Sequence, residues 1–202
     1  MKKTTDFLLM VVILLAVTII VTAMPTEKDA AIYEDTVRLH ILANSDKEED
    51  QALKYDIRDK LLQKYGESLR VSGTPEDAKE ELSILVGDIE SDVDTWMREA
   101  GYNYESDVRL GVEWYDTREY DGFTLPKGYY TSLQVMLGDA EGKNWWCVMY
   151  PPLCLDVATE DAPRDDAIIG YSSEEYSLIT NDGYNVKFKL LEVFSEAFSK
   201  NG

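Results

Sequence analysis

Val37-Arg38-Leu39-His40-Ile41 alternates apolar with polar residues, the period of a half-buried strand. Asn44-Ser45-Asp46 follows and opens a helix, with Ser45 and Glu48 at capping-box spacing. Leu53, Ile57, Leu61 and Tyr65 recur every four residues, so one face of that helix is apolar, and Gly66 is placed to end it. A second helix is announced by Thr74 at the N-cap, Pro75 at the first helical position and Glu76 and Asp77 at the positive end of the dipole. Leu82, Leu85, Val86, Ile89, Val93, Trp96, Met97 and Ala100 make its apolar stripe, and Gly101 stands where a left-handed terminator belongs. From 75 to 100 such a helix is ~39 Å long at 1.5 Å per residue.

After Gly101 the period changes to two. Val108, Leu110, Val112 and Trp114 alternate with polar or small residues, as do Leu133, Val135 and Leu137, and Trp145 to Tyr150 follows a polar connection. Asp121-Gly122 and Lys127-Gly128 mark turns. The order strand, helix, helix, three strands predicts an α+β fold, an antiparallel sheet of about four strands covered on one face by two helices. Residues 25–35 read as a linker and 36–155 as the folded domain. Residues 156–183 hold eight acids and one Arg and read as a surface excursion. Within 185–199, Val186, Phe188 and Leu190 alternate like a strand while Leu190, Leu191, Phe194, Ala197 and Phe198 suit a helix, and a C-terminal helix is favoured for most of it.

The N-terminus adds a targeting signal. Lys2 and Lys3 precede an uncharged run of 18 residues, Phe7 to Met24. That length lies between a cleaved signal and a membrane anchor, and Val21-Thr22-Ala23 offers a cleavage site after Ala23. Either way the positive flank predicts that the body lies outside the cytoplasm.

The formal net charge is −19; Lys2, Lys3 and Asp6 leave the first 23 residues at +1, so the rest carries −20. Nucleic-acid binding needs clustered Lys and Arg, and this balance opposes it. The two cysteines, Cys147 and Cys154, flank Val-Met-Tyr-Pro-Pro-Leu in the exported part. A bridge around the proline turn and two small buried thiols are both open readings.

Catalytic patterns mostly fail. His40 is the single histidine, so no paired-His zinc site can form, and neither Gly-x-Ser-x-Gly nor a phosphate-binding Gly-rich loop occurs. Asp46-Lys-Glu48-Glu-Asp50 departs from a calcium loop, with Gln51 where the turn wants Gly and Ile57 where a bidentate Glu belongs. No metal or cofactor is expected. With 39 acids, some carboxylates will lie ~5–9 Å apart by chance, the spacing glycosidases use, so that signal carries little weight. An extracellular carboxylate-dependent cell-wall hydrolase stands as the alternative function.

Two clusters are candidate binding sites. Arg38, His40, Asn44, Ser45 and Asp46 gather polar groups at a strand end, although for His40 a polar residue on a strand's exposed or edge face is favoured over a catalytic base, since no partner for it is identifiable. Trp145 and Trp146 must face opposite sides of their strand, so one packs under the helices and the other is left to cover the second face or anchor a partner.

The same residues carry a resemblance. Arg38-Leu39-His40-Ile41-Leu42-Ala43-Asn44-Ser45-Asp46, with Glu49-Asp50-Gln51-Ala52-Leu53-Lys54 and Ile57-Arg58-Asp59, resembles the first signature block of the stage II sporulation protein R family. Leu125-Pro126-Lys127-Gly128-Tyr129-Tyr130 is similar to its middle block, and Asn144-Trp145-Trp146-Cys147 through Pro151-Pro152-Leu153-Cys154 to its last. The resemblance implies a secreted signalling protein made in the forespore and exported to the intermembrane space. There it would activate, by binding and not as an enzyme, a membrane-embedded aspartic protease that processes the sigma E precursor in the mother cell.

Overall fold

Thr74 and Gly101 bound the longest helix of the domain, as their residue types predict. The computed structural model describes residues 2–23, 27–70, 73–120, 123–151 and 171–180. Helix α4 (Pro75–Glu99) starts where the Thr74 side chain accepts the Asp77 amide at 3.1 Å. It ends with Gly101 at φ +86°, where the Gly101 N–H donates to the Arg98 carbonyl and the Tyr102 N–H to that of Met97. Those two bonds satisfy orphan carbonyls in the Schellman pattern. Of the stripe, Leu82, Ile89, Val93 and Met97 are buried, as is Ala78 ahead of it; Leu85, Val86 and Trp96 pack at its margins, and Ala100 is exposed.

Ahead of α4 lie α1 (Lys2–Ala23), α2 (Glu27–Glu34), β1 (Val37–Leu42) and α3 (Glu48–Arg70). The predicted face of α3, Leu53, Ile57, Leu61 and Tyr65, is buried. The helix runs four residues past Gly66, its expected terminator, because Tyr65 is tied to Asp92 of α4 and docking offsets the ~1 kcal/mol cost of an interior glycine. At the other end Ser45 does not pair with Glu48 as a capping box; its hydroxyl accepts the Lys47 amide and donates to Asp50.

β2 (Ser106–Tyr115), β3 (Arg118–Tyr120), β4 (Phe123–Leu125), β5 (Gly128–Leu137), β6 (Asn144–Tyr150) and α5 (Ser173–Thr180) complete the order. The main sheet is four-stranded, β2-β5-β1-β6, and β3-β4 form a separate hairpin. The fold is α+β as expected, but the sheet is mixed: β1 pairs parallel with β5 and antiparallel with β6. β5 and β6 are therefore not neighbours in a meander. The 138–143 connection crosses the end of β1, where the Glu141 and Gly142 amides donate to the carbonyls of Asn44 and Ala43, and this crossing makes room for β1 between them. Central placement agrees with the burial of every residue from Val37 to Ile41.

α3 and α4 pack on one sheet face around Leu39, Ile41, Leu133 and Val135. The opposite face is not bare. Ile32 of α2, Leu125 of β4, Val148 of β6 and Tyr171 and Ile179 from the α5 region form a second apolar cluster. Residues 25–35 are thus not simply a linker, since Glu27–Glu34 is helical and buries Ile32. Part of the acidic excursion is likewise folded: the Ser172 hydroxyl and Glu175 carboxylate exchange bonds with each other's amides, a capping box that starts α5. The predicted C-terminal helix over 185–199 lies outside the described residues, as does 152–170.

Among the described residues no helix is long and apolar enough to cross a membrane. The described side chains of α1 end at Thr18, before the uncharged run ends at Met24. Phe7, Leu8, Leu9, Leu14 and Leu15 on it are all exposed.

Candidate functional site

Alternation along β1 sends Leu39 and Ile41 under the helices and Arg38 and His40 to the opposite face. His40 sits across from Gln134 of β5 and Trp146 of β6. Its Nδ1 lies 2.9 and 3.0 Å from the two carboxylate oxygens of Glu113, and its Nε2 is 3.0 Å from Asn144 Oδ1. Both ring nitrogens therefore face acceptors. Two arrangements satisfy them: an imidazolium donating at both ends, or a neutral ring donating to Glu113 while the Asn144 amide turns its NH2 to Nε2. In either, no ring nitrogen is left to attack a substrate or take its proton. Trp146 stacks on His40, and the guanidinium carbon of Arg118 lies 3.7 Å from the Trp146 ring centroid on β3's side. Arg118, Trp146 and Glu113 are each partly exposed, whereas His40 is buried, so this surface presents a planar cation over an indole with a fixed carboxylate beside it.

Arg38 lies deeper, with no exposed surface. Its guanidinium carbon is 3.9 Å from the Tyr115 centroid, 5.0 Å from that of Tyr130 and 5.9 Å from that of Tyr120. The first two tyrosines present faces rather than oxygens, because the Tyr115 hydroxyl bonds Ser132 at 2.6 Å and that of Tyr130 donates to the Pro126 carbonyl. Burial pushes the Tyr115 hydroxyl well above the usual phenol range, so it stays neutral.

Asn44, Ser45 and Asp46 do not join this face. They staple the β1–α3 loop to the 138–143 connection. Asn44 Oδ1 accepts the Asp139 amide at 2.9 Å, Asp46 accepts that of Lys143 at 2.8 Å, and Asn44 and Ser45 both donate to Asp50. Tyr104 donates to the other Asp50 oxygen at 2.7 Å. Burial by itself would raise the Asp50 pKa, but the bonds from Ser45, Tyr104 and Asn44 and the charge of Lys47 hold it below the usual carboxylate value. The crossing is tight: a Cβ on Gly142 would meet the Ser45 carbonyl, and Gly138, at φ +57°, faces Asn44.

The two tryptophans part as the strand period requires. Trp145 packs on the helix-side core with Arg58 at 5.3 Å from its ring, and Trp146 lies on the other face. Cys147 is disulfide-bonded; Cys154, the other cysteine of the chain, lies outside the described residues. Among the described residues no group of three His, Cys, Asp or Glu could hold a metal ion.

Sequence reasoning did not single out Glu113, Arg118, Tyr115, Tyr120 or Tyr130. The alternation of β2 contained the signal for Glu113 and Tyr115, since both share the phase of Arg109, opposite to that of the buried Val108. For Arg118 no local signal exists, because its partner Trp146 is 28 residues away.

The profile of the stage II sporulation protein R family matches residues 33–160, from just before β1 to beyond β6. Stage II sporulation protein R of Bacillus subtilis (strain 168) is 29% identical over 224 residues, an alignment covering 98% of this chain and 100% of the relative. No solved structure matches. The profile takes in β1, the Asn44–Asp46 staple and the Trp146 face, and spans well over half the sequence: the chain belongs to the stage II sporulation protein R family.

Proposed function

We propose that the chain is an exported sporulation signal. In this reading it leaves the forespore through its N-terminal segment and reaches the intermembrane space. There it activates, by binding, a membrane-embedded aspartic protease that processes the sigma E precursor in the mother cell. Family membership carries the sporulation role. The partly exposed Trp146 surface supports recognition as its means: Trp146 contacts both Arg118 and His40, and His40 has both nitrogens engaged. Aromatic and Arg side chains held rigidly together are the residue types that dominate binding energy.

Export, cleaved or anchored, is favoured by the Lys2-Lys3 flank and by a helix whose apolar side chains are left uncovered, an arrangement suited to lipid. Among the described residues the carboxyl raised furthest, that of Asp35, does not fit a wall hydrolase. Asp35 is hydrogen-bonded directly to Glu175, whereas glycosidase carboxyls stand ~5–9 Å apart to admit a water or a sugar carbon.

The test is reconstitution. The protease and the sigma E precursor are placed in membranes and the purified chain is added to the compartment facing away from the precursor. Processing is expected with the wild type and loss of processing with a folded His40→Ala, Trp146→Ala double variant. Full activity of that variant would remove the Trp146 surface from the mechanism; no processing with the wild type would remove the protease as partner.

A further inference from the structure

A guanidinium can grip a carboxylate with two parallel N–H bonds along either of two edges, Nε with Nη2 or Nη1 with Nη2. In Arg38, Nη2 donates to the Tyr120 hydroxyl at 2.5 Å, while Nε and Nη1 are buried without an acceptor among the described residues. Tyr115 and Tyr130 flank the group with ring faces, which offset part of the charge's desolvation but accept no strong hydrogen bond. Glu113, on the same face, is held by His40. A buried cation left with two unmet donors is costly, and an oxyanion in its plane is the group that relieves it. The other unsatisfied buried side-chain atom among the described residues, Thr117 Oγ1, lies in the connection between Tyr115 and Tyr120, two residues from one and three from the other.

Tyr120 is the removable element. It is partly exposed, and it belongs to the three-residue β3, whose hairpin is not hydrogen-bonded into the main sheet. A two-stranded hairpin is only marginally stable by itself. Nη2 carries one N–H on each of these edges and the Tyr120 hydroxyl holds one of them, so a carboxylate gripping that edge takes the place of the hydroxyl.

We propose that the Arg38 cage is a carboxylate-binding site in which an incoming carboxylate displaces the Tyr120 hydroxyl from Nη2 and also engages Nε or Nη1, with the Tyr115 and Tyr130 rings as walls. A single buried cation balances the one charge of a carboxylate, whereas phosphate brings more than one charge into the same desolvated site. The site adjoins the Trp146 surface, since Tyr115 meets the edge of His40 at 6.3 Å between centroids, but it does not depend on the identity of the protease.

Acetate is the probe, titrated against the full chain at constant ionic strength set with chloride. The readouts are the Nε–H resonance of Arg38 and the melting temperature. A saturable shift of that resonance together with a rise in melting temperature is expected, with no saturable response to inorganic phosphate. Arg38→Met, an apolar side chain of similar length inside the tyrosine cage, should lose the thermal response. Tyr120→Phe removes the competing hydroxyl and should lower the half-saturating acetate concentration about ten-fold, the worth of one hydrogen bond to a charged group. No saturable shift in the wild type, an equal response to phosphate, an undiminished response in Arg38→Met, or an unchanged half-saturation in Tyr120→Phe each overturns the proposal. If Arg38→Met fails to fold, the Nε–H titrations of wild type and Tyr120→Phe decide.

Discussion

Trp146 lies flat on His40, ring centroids 5.4 Å apart and planes 22° from parallel. The Arg118 guanidinium carbon lies 3.7 Å from the centroid of the same indole, so the ring makes both a stacked and a cation–π contact. Removing it should cost stability only modestly, about 1–3 kcal/mol for one stacked pair and one cation–π contact. Binding should suffer more. An anchor of this type is worth about 2 kcal/mol or more, so Trp146→Ala should raise the concentration needed for half-maximal protease activation about 30-fold or more while the protein remains folded. Trp145→Ala is the internal control: that ring packs with the helix-side core, so its loss should lower the urea midpoint and leave activation by the folded fraction intact. Urea denaturation and the reconstituted assay, run on both variants, separate the two roles.

Asp50 accepts bonds from Asn44, Ser45 and Tyr104 at the point where the β1–α3 loop meets the 138–143 connection. An amide at this position puts an NH2 against donors that need an acceptor, so Asp50→Asn should lose about 1–3 kcal/mol at neutral pH. The pH dependence has a definite sign. The folded carboxyl lies below its ordinary 3.8, so its stabilisation is present above that value and is lost as pH falls through the folded pKa. The wild type and Asp50→Asn should therefore converge in acid. Urea midpoints measured from neutral pH down through the carboxylate range test this, and a constant gap across the range is the contrary result.

Local signals were legible in the chain and long-range ones were not. Thr74, Pro75 and Gly101 act on the backbone within three residues of themselves, so the ends of α4 could be read directly. The opposite facing of Trp145 and Trp146 follows from the strand period alone. Which of them meets the helices depends on the register Leu39↔Cys147 and His40↔Trp146, and that is set by pairing between distant segments. The same limit hid the parallel β1–β5 pair: alternation is identical in parallel and antiparallel strands, and the order of strands depends on where the 138–143 connection crosses. At the site, Asn44, Ser45 and Asp46 looked like recognition groups because they are polar and adjacent. Their bonds to Asp139, Lys143 and Asp50 show what polarity serves there, satisfying backbone amides at a loop crossing. Arg38 was recognisable as polar in a strand, but nothing nearby in sequence indicated that its neighbours would be three tyrosines drawn from β2, β3 and β5.

Cys147 has one available partner within the chain, Cys154. Under non-reducing conditions the intact protein should be lighter than its reduced form by two hydrogens, and a peptide digest should join the segments containing the two residues. Closing so short a loop is worth about 2–3 kcal/mol by chain entropy. Cys147→Ser, Cys154→Ser should lower stability by that order, and dithiothreitol should do the same to the wild type but not to the variant. A free thiol titre of two in the unreduced protein is the opposing outcome.

Asp35, at the end of α2, faces Glu175 of the α5 capping box. Burial raises its pKa first, the hydrogen bond and charge of Glu175 add to this, and Glu76 contributes against the opposing pull of Lys79, bringing it to about 6 from an ordinary 3.8. For a carboxyl raised on folding, the stabilisation is full below the unfolded value and is lost as pH rises through the folded one. The join between α2 and α5 should thus weaken between about pH 4 and pH 6 and be at its weakest above that window, where Asp35 carries its charge. Asp35→Asn keeps a hydrogen-bonding group beside Glu175 without the charge. It should raise the urea midpoint above pH 6 relative to wild type, and the difference should close as the pH is lowered through the window. Amide exchange of α5 at neutral pH should slow in the same variant, since α5 reaches the rest of the fold through contacts with α2 and β4. An unaltered α5 exchange rate together with an unaltered midpoint would show that the carboxyl contact does not govern the docking of that helix.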